Sequence, residues 1–372
     1  MKLFLIAGEE SGDIHASNMI RHLKKMADFS FYGTGGNRLK DLGQVQFFHI
    51  NDMSIIGLDG IIKKAPFIFK MFKTLKRKLL EVNPDAVILV DYPGFNLRFA
   101  KFAKENGYKV IYYIVPQIWA WHFSRIKKIQ KYVDLALCIL PFEEELYKSN
   151  GVNAKFVGNP IVNNIEFNFK NKNEFQKKFG LKSDKKVIGI FPGSRKKEIE
   201  ALISPINDAV EMLGDNYQYL LAKAKNLDID VFKNYNLSDK IKIIDGYNYD
   251  VMKYSDLLWV CSGTATLESA LIGTPLILMY KVSKLTEIIG RLVIRTKFIG
   301  LPNIIAGEEV VPELIQDELT PENLSKYTSI IFSGYEKYKG YLFQIGKMFN
   351  VENPSYQAAK EIYSYLKKYN HK

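Results

Sequence analysis

The chain has 372 residues, 47% of them hydrophobic and 25% charged, which suits a folded soluble protein with two well-filled cores. Its 52 Lys and Arg against 40 Asp and Glu give a formal charge of +12, so an anionic partner is expected: nucleic acid, a membrane surface or a phosphorylated substrate. No uncharged apolar run reaches the roughly 18 residues of a spanning helix, and Cys138 and Cys261, both in apolar runs, read as buried thiols of a reducing cytoplasm.

Strand-like and helix-like patterns alternate nearly throughout, which predicts parallel sheets with crossover helices, an α/β class. The amino terminus is a first strand near Leu3–Ala7, because Glu9, Glu10 and Asp13 cut its apolar run too short for a signal peptide. Further strands are expected near Ser30–Tyr32, Ala86–Val90, Val110–Ile114 and Leu135–Leu140, with helices near Asp13–Ala27, Phe67–Glu81, Leu97–Asn106, Ser124–Lys131 and Glu143–Ser149. The scheme repeats at Val187–Phe191, Tyr217–Ala222, Ile241–Ile244, Leu257–Val260 and Leu276–Met279, and from Pro321 onward the pattern is helical. The Asn- and Lys-rich residues 163–173 lack periodicity and read as a linker. They predict two doubly wound domains, 1–165 and 166–372, facing a cleft, with the last helices able to pack back on the first domain.

Each strand that ends in small or polar residues before a helix is a candidate site, since open α/β sheets bind ligands at the carboxyl ends of their strands. The first is Gly8-Glu9-Glu10-Ser11-Gly12-Asp13-Ile14-His15, whose glycines are four apart and so do not match the dinucleotide fingerprint. His15, in a helix's first turn, reads as a solvated side chain before it reads as a base. Next comes Val90-Asp91-Tyr92-Pro93-Gly94, where a carboxylate follows five apolar residues and becomes a partly desolvated candidate base. Two tryptophans stand at another strand end, in Pro116-Gln117-Ile118-Trp119-Ala120-Trp121, where packing and a sugar or acyl surface are both open readings.

In the second half, Pro192-Gly193-Ser194-Arg195-Lys196-Lys197-Glu198-Ile199 adds a cation whose forked guanidinium matches phosphate oxygens. The buried-strand pattern Leu257–Val260 runs into Cys261-Ser262-Gly263-Thr264-Ala265-Thr266-Leu267-Glu268. A helix starting at Thr264 presents unpaired N–H groups to an anion, and Glu268, four residues on, lies on the same face. Hydroxyls and N–H groups suit a diphosphate and a carboxylate suits a sugar diol. Together the two loops read as a nucleotide-diphosphate site.

These stretches, with Leu140-Pro141-Phe142-Glu143, Gly158-Asn159-Pro160 and Leu301-Pro302-Asn303-Ile304-Ile305-Ala306-Gly307, resemble in order the lipid A disaccharide synthase family, glycosyltransferases of the two-Rossmann-domain GT-B type. The likeness runs from residue 3 to about 315. It departs at Gly94, where the family often carries a second acid, which leaves Asp91 the only carboxylate of that motif. The resemblance implies an inverting transfer of 2,3-diacylglucosamine from UDP-2,3-diacylglucosamine to 2,3-diacylglucosamine 1-phosphate, without metal or cofactor. It implies Asp91 as base with Glu10 or His15 next in line, Arg195 and the Ser262–Thr266 N–H groups on the diphosphate, and Glu268 on the ribose. Gly8, Ser11, Gly12, Asp13, Gly193, Ser194, Gly263, Ala265 and Asn303 join these as substrate-binding candidates. The nearest rival readings are another GT-B enzyme, such as a UDP-N-acetylglucosamine transferase or epimerase, and a non-catalytic nucleotide-sugar or lipid binder.

Anionic lipid substrates give the basic charge a place. Residues 61–80 hold seven Lys or Arg (63, 64, 70, 73, 76, 77 and 78) and no acid. On a helical wheel Ile68, Phe72, Leu75 and Leu79 form one apolar face, while Lys70, Lys73, Lys76 and Arg77 spread over the other with Phe69 and Leu80 among them. A core-packed helix with a solvated face is the plain reading. The two apolar residues on the basic side favour peripheral contact with an anionic inner-membrane surface, from the cytoplasmic face of a Gram-negative bacterium. No nucleic-acid motif accompanies the charge, and a homodimer stays open.

Overall fold

The computed structural model describes residues 1–53, 57–293 and 296–370, with helical residues 57–65, 285, 289, 291–293, 369 and 370 described by backbone alone. The side chains of Lys63 and Lys64 therefore lie outside the described residues. By their contacts the residues form two units, Met1–Pro160 with Val351–Lys372, and Ile161–Asn350.

In the first unit β1 (Lys2–Ala7), β2 (Ser30–Gly35), β3 (Val45–His49), β4 (Ala86–Val90), β5 (Lys109–Tyr113), β6 (Leu135–Cys138) and β7 (Ala154–Phe156) form one parallel sheet. Its order is β3-β2-β1-β4-β5-β6-β7. All five residues of β4 are buried, as a strand covered by helices on both faces requires. The edge strands β3 and β7 escape the sequence pattern because one is half-exposed and the other only three residues long.

The second unit repeats the plan with β8 (Lys186–Phe191), β9 (Tyr217–Lys223), β10 (Ile241–Asp245), β11 (Leu257–Cys261), β12 (Leu276–Tyr280) and β13 (Glu313–Ile315), ordered β10-β9-β8-β11-β12-β13. Trp259, in the middle of β11, is wholly buried and its indole N–H donates to the Thr328 hydroxyl at 3.1 Å. In each sheet the strand order reverses at one point, between β1 and β4 and between β8 and β11. There the helices depart to opposite faces and leave a crevice. Register makes the crevices usable: Ala7 pairs with Val90 and Phe191 with Val260, so the loops that follow emerge side by side.

The linker expectation meets a difference, while the returning last helix takes a definite place. Residues 163–173 are fastened to the second unit rather than free, because buried Asp250 accepts from the Asn168 backbone and side-chain amides at 2.8 and 2.7 Å and from the Phe169 N–H at 3.1 Å. The last helix, Pro354–Asn370, packs with the first unit, where Ala358, Ala359, Ile362 and Leu366 join a core with Leu3, Leu5, Ala16 and Ile20.

Candidate functional site

The reversal point of the second sheet opens into a cavity of about 600 Å³. Gly193, Ser194, Arg195, Ser262, Gly263, Thr264, Ala265 and Glu268, all expected from the sequence, line it. Gly263 has φ +151°, which a side chain rarely adopts, and turns the chain from β11 into the Thr264–Ile272 helix. The first-turn N–H groups of Thr264 and Ala265 have no partner within their helix. Thr266 is different: it is buried, and its hydroxyl donates to the Gly263 carbonyl at 2.8 Å, so it braces the turn.

Glu268 lies in the cavity wall and accepts a hydrogen bond from the Tyr249 hydroxyl at 2.8 Å. Burial raises its pKa above the usual carboxylate value, and the Tyr249 bond opposes that rise. Tyr249, from the helix after β10, has no signal in the sequence, since only the fold brings it to a residue 19 positions away. Lys225, two residues beyond β9, adds a second cation to the lining and carries no signal in the sequence.

Glu198, in the same motif as Arg195, takes a structural role. Its Oε2 accepts from the Ser194 and Arg195 backbone N–H groups at 2.9 and 3.2 Å, and its Oε1 meets the Arg195 guanidinium at 2.7 Å. The spacing Arg195-Lys196-Lys197-Glu198 is that of a helix-capping acid. A Cβ on Gly193, at φ +115°, would lie 2.5 Å from this carboxylate, so glycine is required there. Arg195 itself is 80% exposed, so beyond the Glu198 contact its remaining guanidinium N–H groups face the open side of the cavity lining.

Asn303 does not reach this cavity. It is fully buried: its Oδ1 accepts from the Val310 and Val311 N–H groups, and its Nδ2 donates to the Val311 carbonyl and Glu313. With donors and acceptor engaged, it clamps the segment before β13, a correction to its place among ligand contacts.

In the first unit, Asp91 and Tyr92 both hold left-handed backbone, φ +47° and +48°. Such conformations are costly for side-chain-bearing residues and persist only where surroundings enforce them. Here the Asp91 carbonyl accepts from Tyr112 Oη at 2.6 Å and Asn96 Nδ2 at 2.8 Å, and the Asp91 N–H donates to the Tyr113 carbonyl. Burial first, then nearby Glu9, raises the Asp91 carboxyl to about 6. Gly8 faces the same turn: a Cβ there would lie 2.5 Å from the Tyr92 ring.

The remaining Gly8–His15 candidates separate. Glu10 and Ser11 are exposed, Glu10 pairing with Arg38 at 2.5 Å, and Gly12 is buried. Asp13 is fully buried and accepts from the backbone N–H groups of Gly36, Arg38 and Leu39, so it caps the Asn37–Asp41 helix instead of facing a ligand. His15 is not a solvated first-turn residue; it lies inside the Glu10–Leu23 helix, and burial lowers its pKa to about 4. Trp119 is structural, its indole N–H donating to buried Glu143 at 3.0 Å, whereas Trp121 is 55% exposed.

The Gly57–Val82 helix starts ten residues before the expected one and runs through Pro66. Met71, Leu75 and Leu79 are its core residues, while Phe69 and Leu80 are 73% and 50% exposed. Lys70 and Lys73 are exposed. Lys76 differs, its ammonium lying 4.4 Å from the Phe102 ring and 5.0 Å from Phe72, and Arg77 pairs with Glu81 at 3.4 Å. Among the described residues no helix is long and apolar enough to cross a membrane.

A family model described as lipid-A-disaccharide synthetase matches residues 3–364. The lipid-A-disaccharide synthase of Geobacter metallireducens is 39% identical over 330 residues, covering 87% of this chain and 86% of that one. That of Nitrosococcus oceani is 40% identical over 329 residues, covering 86% and 84%. Among solved structures, the UDP-GlcNAc 2-epimerase from Neisseria meningitidis bound to UDP-GlcNAc aligns with a TM-score of 0.63 at 14% identity, over 99% of this chain and 100% of that one. The calicheamicin glycosyltransferase CalG4 aligns with a TM-score of 0.64 at 11% identity, over 99% and 98%. Identities this low show the fold alone, a GT-B arrangement of two parallel-sheet domains.

Proposed function

Because this chain belongs to the lipid-A-disaccharide synthase family, we propose that it transfers 2,3-diacylglucosamine from its UDP donor to 2,3-diacylglucosamine 1-phosphate, a glycosyl transfer of lipid A biosynthesis. The observation that carries the reading to particular residues is the cavity where Arg195, the Thr264 helix start and Glu268 converge. A UDP group fits this order, with the diphosphate at Thr264 and Ala265 and the ribose diol on Glu268.

Inversion needs one displacement. The acceptor hydroxyl oxygen attacks the anomeric carbon, its proton passes to Asp91, and the bond to the diphosphate breaks with its electron pair leaving on UDP. A carboxyl poised near 6 is ionised at neutral pH yet basic enough to take a proton in the transition state. Arg195, with Lys225 near, stabilises the charge that grows on the leaving diphosphate. The exposed Lys70, Lys73, Phe69 and Leu80 support peripheral attachment to an anionic membrane surface, where both lipid substrates reside. Mass spectrometry of the product formed from UDP-2,3-diacylglucosamine and 2,3-diacylglucosamine 1-phosphate tests the assignment. A disaccharide phosphate with stoichiometric UDP is expected, and hydrolysis or epimerisation of the donor alone would refute it.

A further inference from the structure

A second cavity, of about 390 Å³, opens in the second unit and shares no lining residue with the first. Val162 and Ile165 come to it from the segment that enters the unit, and Leu271 and Ile272 from the last turn of the Thr264–Ile272 helix. These four aliphatic side chains are only partly buried. Water gains little there, since a bound water needs several polar partners and Lys253 is the one polar side chain of the lining. Gly346, from the Tyr335–Met348 helix, also lines the cavity. Nothing in the fold demands glycine at this position: a helix interior disfavours it, and a Cβ would meet no atom within 4 Å. A larger residue would close the cavity, and glycine leaves it open. Along one segment Asn164, Glu166 and Asn168 line the cavity of Arg195 and Glu268, while Ile165 and Phe167 line this one, so the two lie on opposite sides of the chain.

Lys253 gives the second cavity its polarity. It is exposed, its ammonium lies 3.8 Å from the centre of the Phe167 ring, and among the described residues it has only aromatic rings as partners. A ring face leaves ammonium N–H groups free to donate. No acid accompanies this cation in the lining. A ligand that matches is long, apolar and anionic at one end. At roughly 30 Å³ for each methylene, the share of a water in the liquid, the volume holds a chain of about a dozen carbons. A chain linked to a sugar through an ester or amide carries no charge at that linkage, so a free carboxylate suits Lys253 better.

We infer that this cavity is a second ligand site, which takes a long-chain carboxylate with its chain along Val162, Ile165, Leu271 and Ile272 and its head on Lys253. Such a site stands whatever the first cavity binds.

Calorimetric titration of the full chain with dodecanoate, below its micelle concentration, tests this, with thermal melting to confirm that each variant folds. One dodecanoate per chain is expected, and decanoate should bind about tenfold more weakly, the cost of two methylenes no longer buried. Gly346→Leu should abolish binding by filling the cavity. Lys253→Gln, at the surface, should weaken dodecanoate about 2–5-fold, the scale of an exposed ion pair. The same change should leave binding of uncharged dodecanol as it was. No saturable binding by wild type, or a folded Gly346→Leu that binds as wild type does, would overturn the site. Dodecanoate held no better by wild type than by Lys253→Gln would overturn the carboxylate assignment, and this arm stands even if Gly346→Leu does not fold.

Discussion

Asp91 combines two costs, a left-handed backbone and a buried carboxylate, and both point to one experiment. Asn tolerates positive φ at least as well as Asp, so Asp91→Asn keeps the turn and removes only the proton acceptor. Turnover is expected to fall by roughly 10²–10⁴-fold with UDP affinity nearly unchanged. The variant should also melt higher at neutral pH: a folded-state pKa raised to about 6 means that the ionised form opposes folding above that pH. In the wild type, kcat/KM should fall as pH drops through about 6, because the base becomes protonated. At the nucleotide, Arg195→Ala should weaken UDP binding and slow turnover. Tyr249→Phe should cost UDP affinity about 3–10-fold, the scale of one ordinary hydrogen bond. The hydroxyl holds the Glu268 pKa down, so without it Glu268 protonates at higher pH and UDP binding should fail earlier on acidification. An unchanged pH profile in Tyr249→Phe would separate the tyrosine from the ribose.

At the scale of elements, the Gly57–Val82 helix divides its basic residues by what they touch. Lys76 over two phenylalanine rings and Arg77 beside Glu81 are partly spent inside the protein, which leaves Lys70 and Lys73 as the freer charges. Each Lys near an anionic surface contributes about 1 kcal/mol. Changing Lys70 and Lys73 together to Ser should therefore lower binding to anionic vesicles by about 30-fold at low salt. The difference should shrink as ionic strength rises and screening shortens to about 8 Å. Phe69→Ser with Leu80→Ser should remove the salt-resistant remainder while UDP binding persists. Vesicle co-sedimentation across a salt series reads both, and salt-independent binding by the lysine variant at wild-type strength would leave the helix a packed element with a solvated side.

At the scale of the whole molecule, the chain leaves its first unit at Pro160 and returns to it at Val351. The returning helix places Ile362, fully buried, in the core beneath β1. Ile362→Ala should cost about 2–5 kcal/mol, the usual range for such a truncation. The loss should fall on the first unit, so chemical denaturation should show its transition shifted while UDP binding by the second unit is kept at denaturant levels below it. Equal loss of UDP binding at the same denaturant concentration would show that the two units unfold as one.

The sequence by itself determined the two doubly wound sheets, because strands buried on both faces must be apolar throughout and β4 and β11 carry that pattern unbroken. It also determined the turns of the site, since glycine at 193 and 263 and a helix start after each strand are local requirements. Glu198 was readable on the same grounds, from capping spacing. What only the tertiary structure decided is which candidates share a ligand. Asp13 and Asn303 stand in motifs that the family resemblance implies for substrate, but their polar atoms are consumed by backbone groups elsewhere in the chain. Tyr249 and Asn248 carry no motif and enter the cavity because β10 ends beside it. The homing of the last helix to the first unit is equally non-local. A helical period shows that a face is apolar, whereas the core that receives it depends on where the chain has already folded.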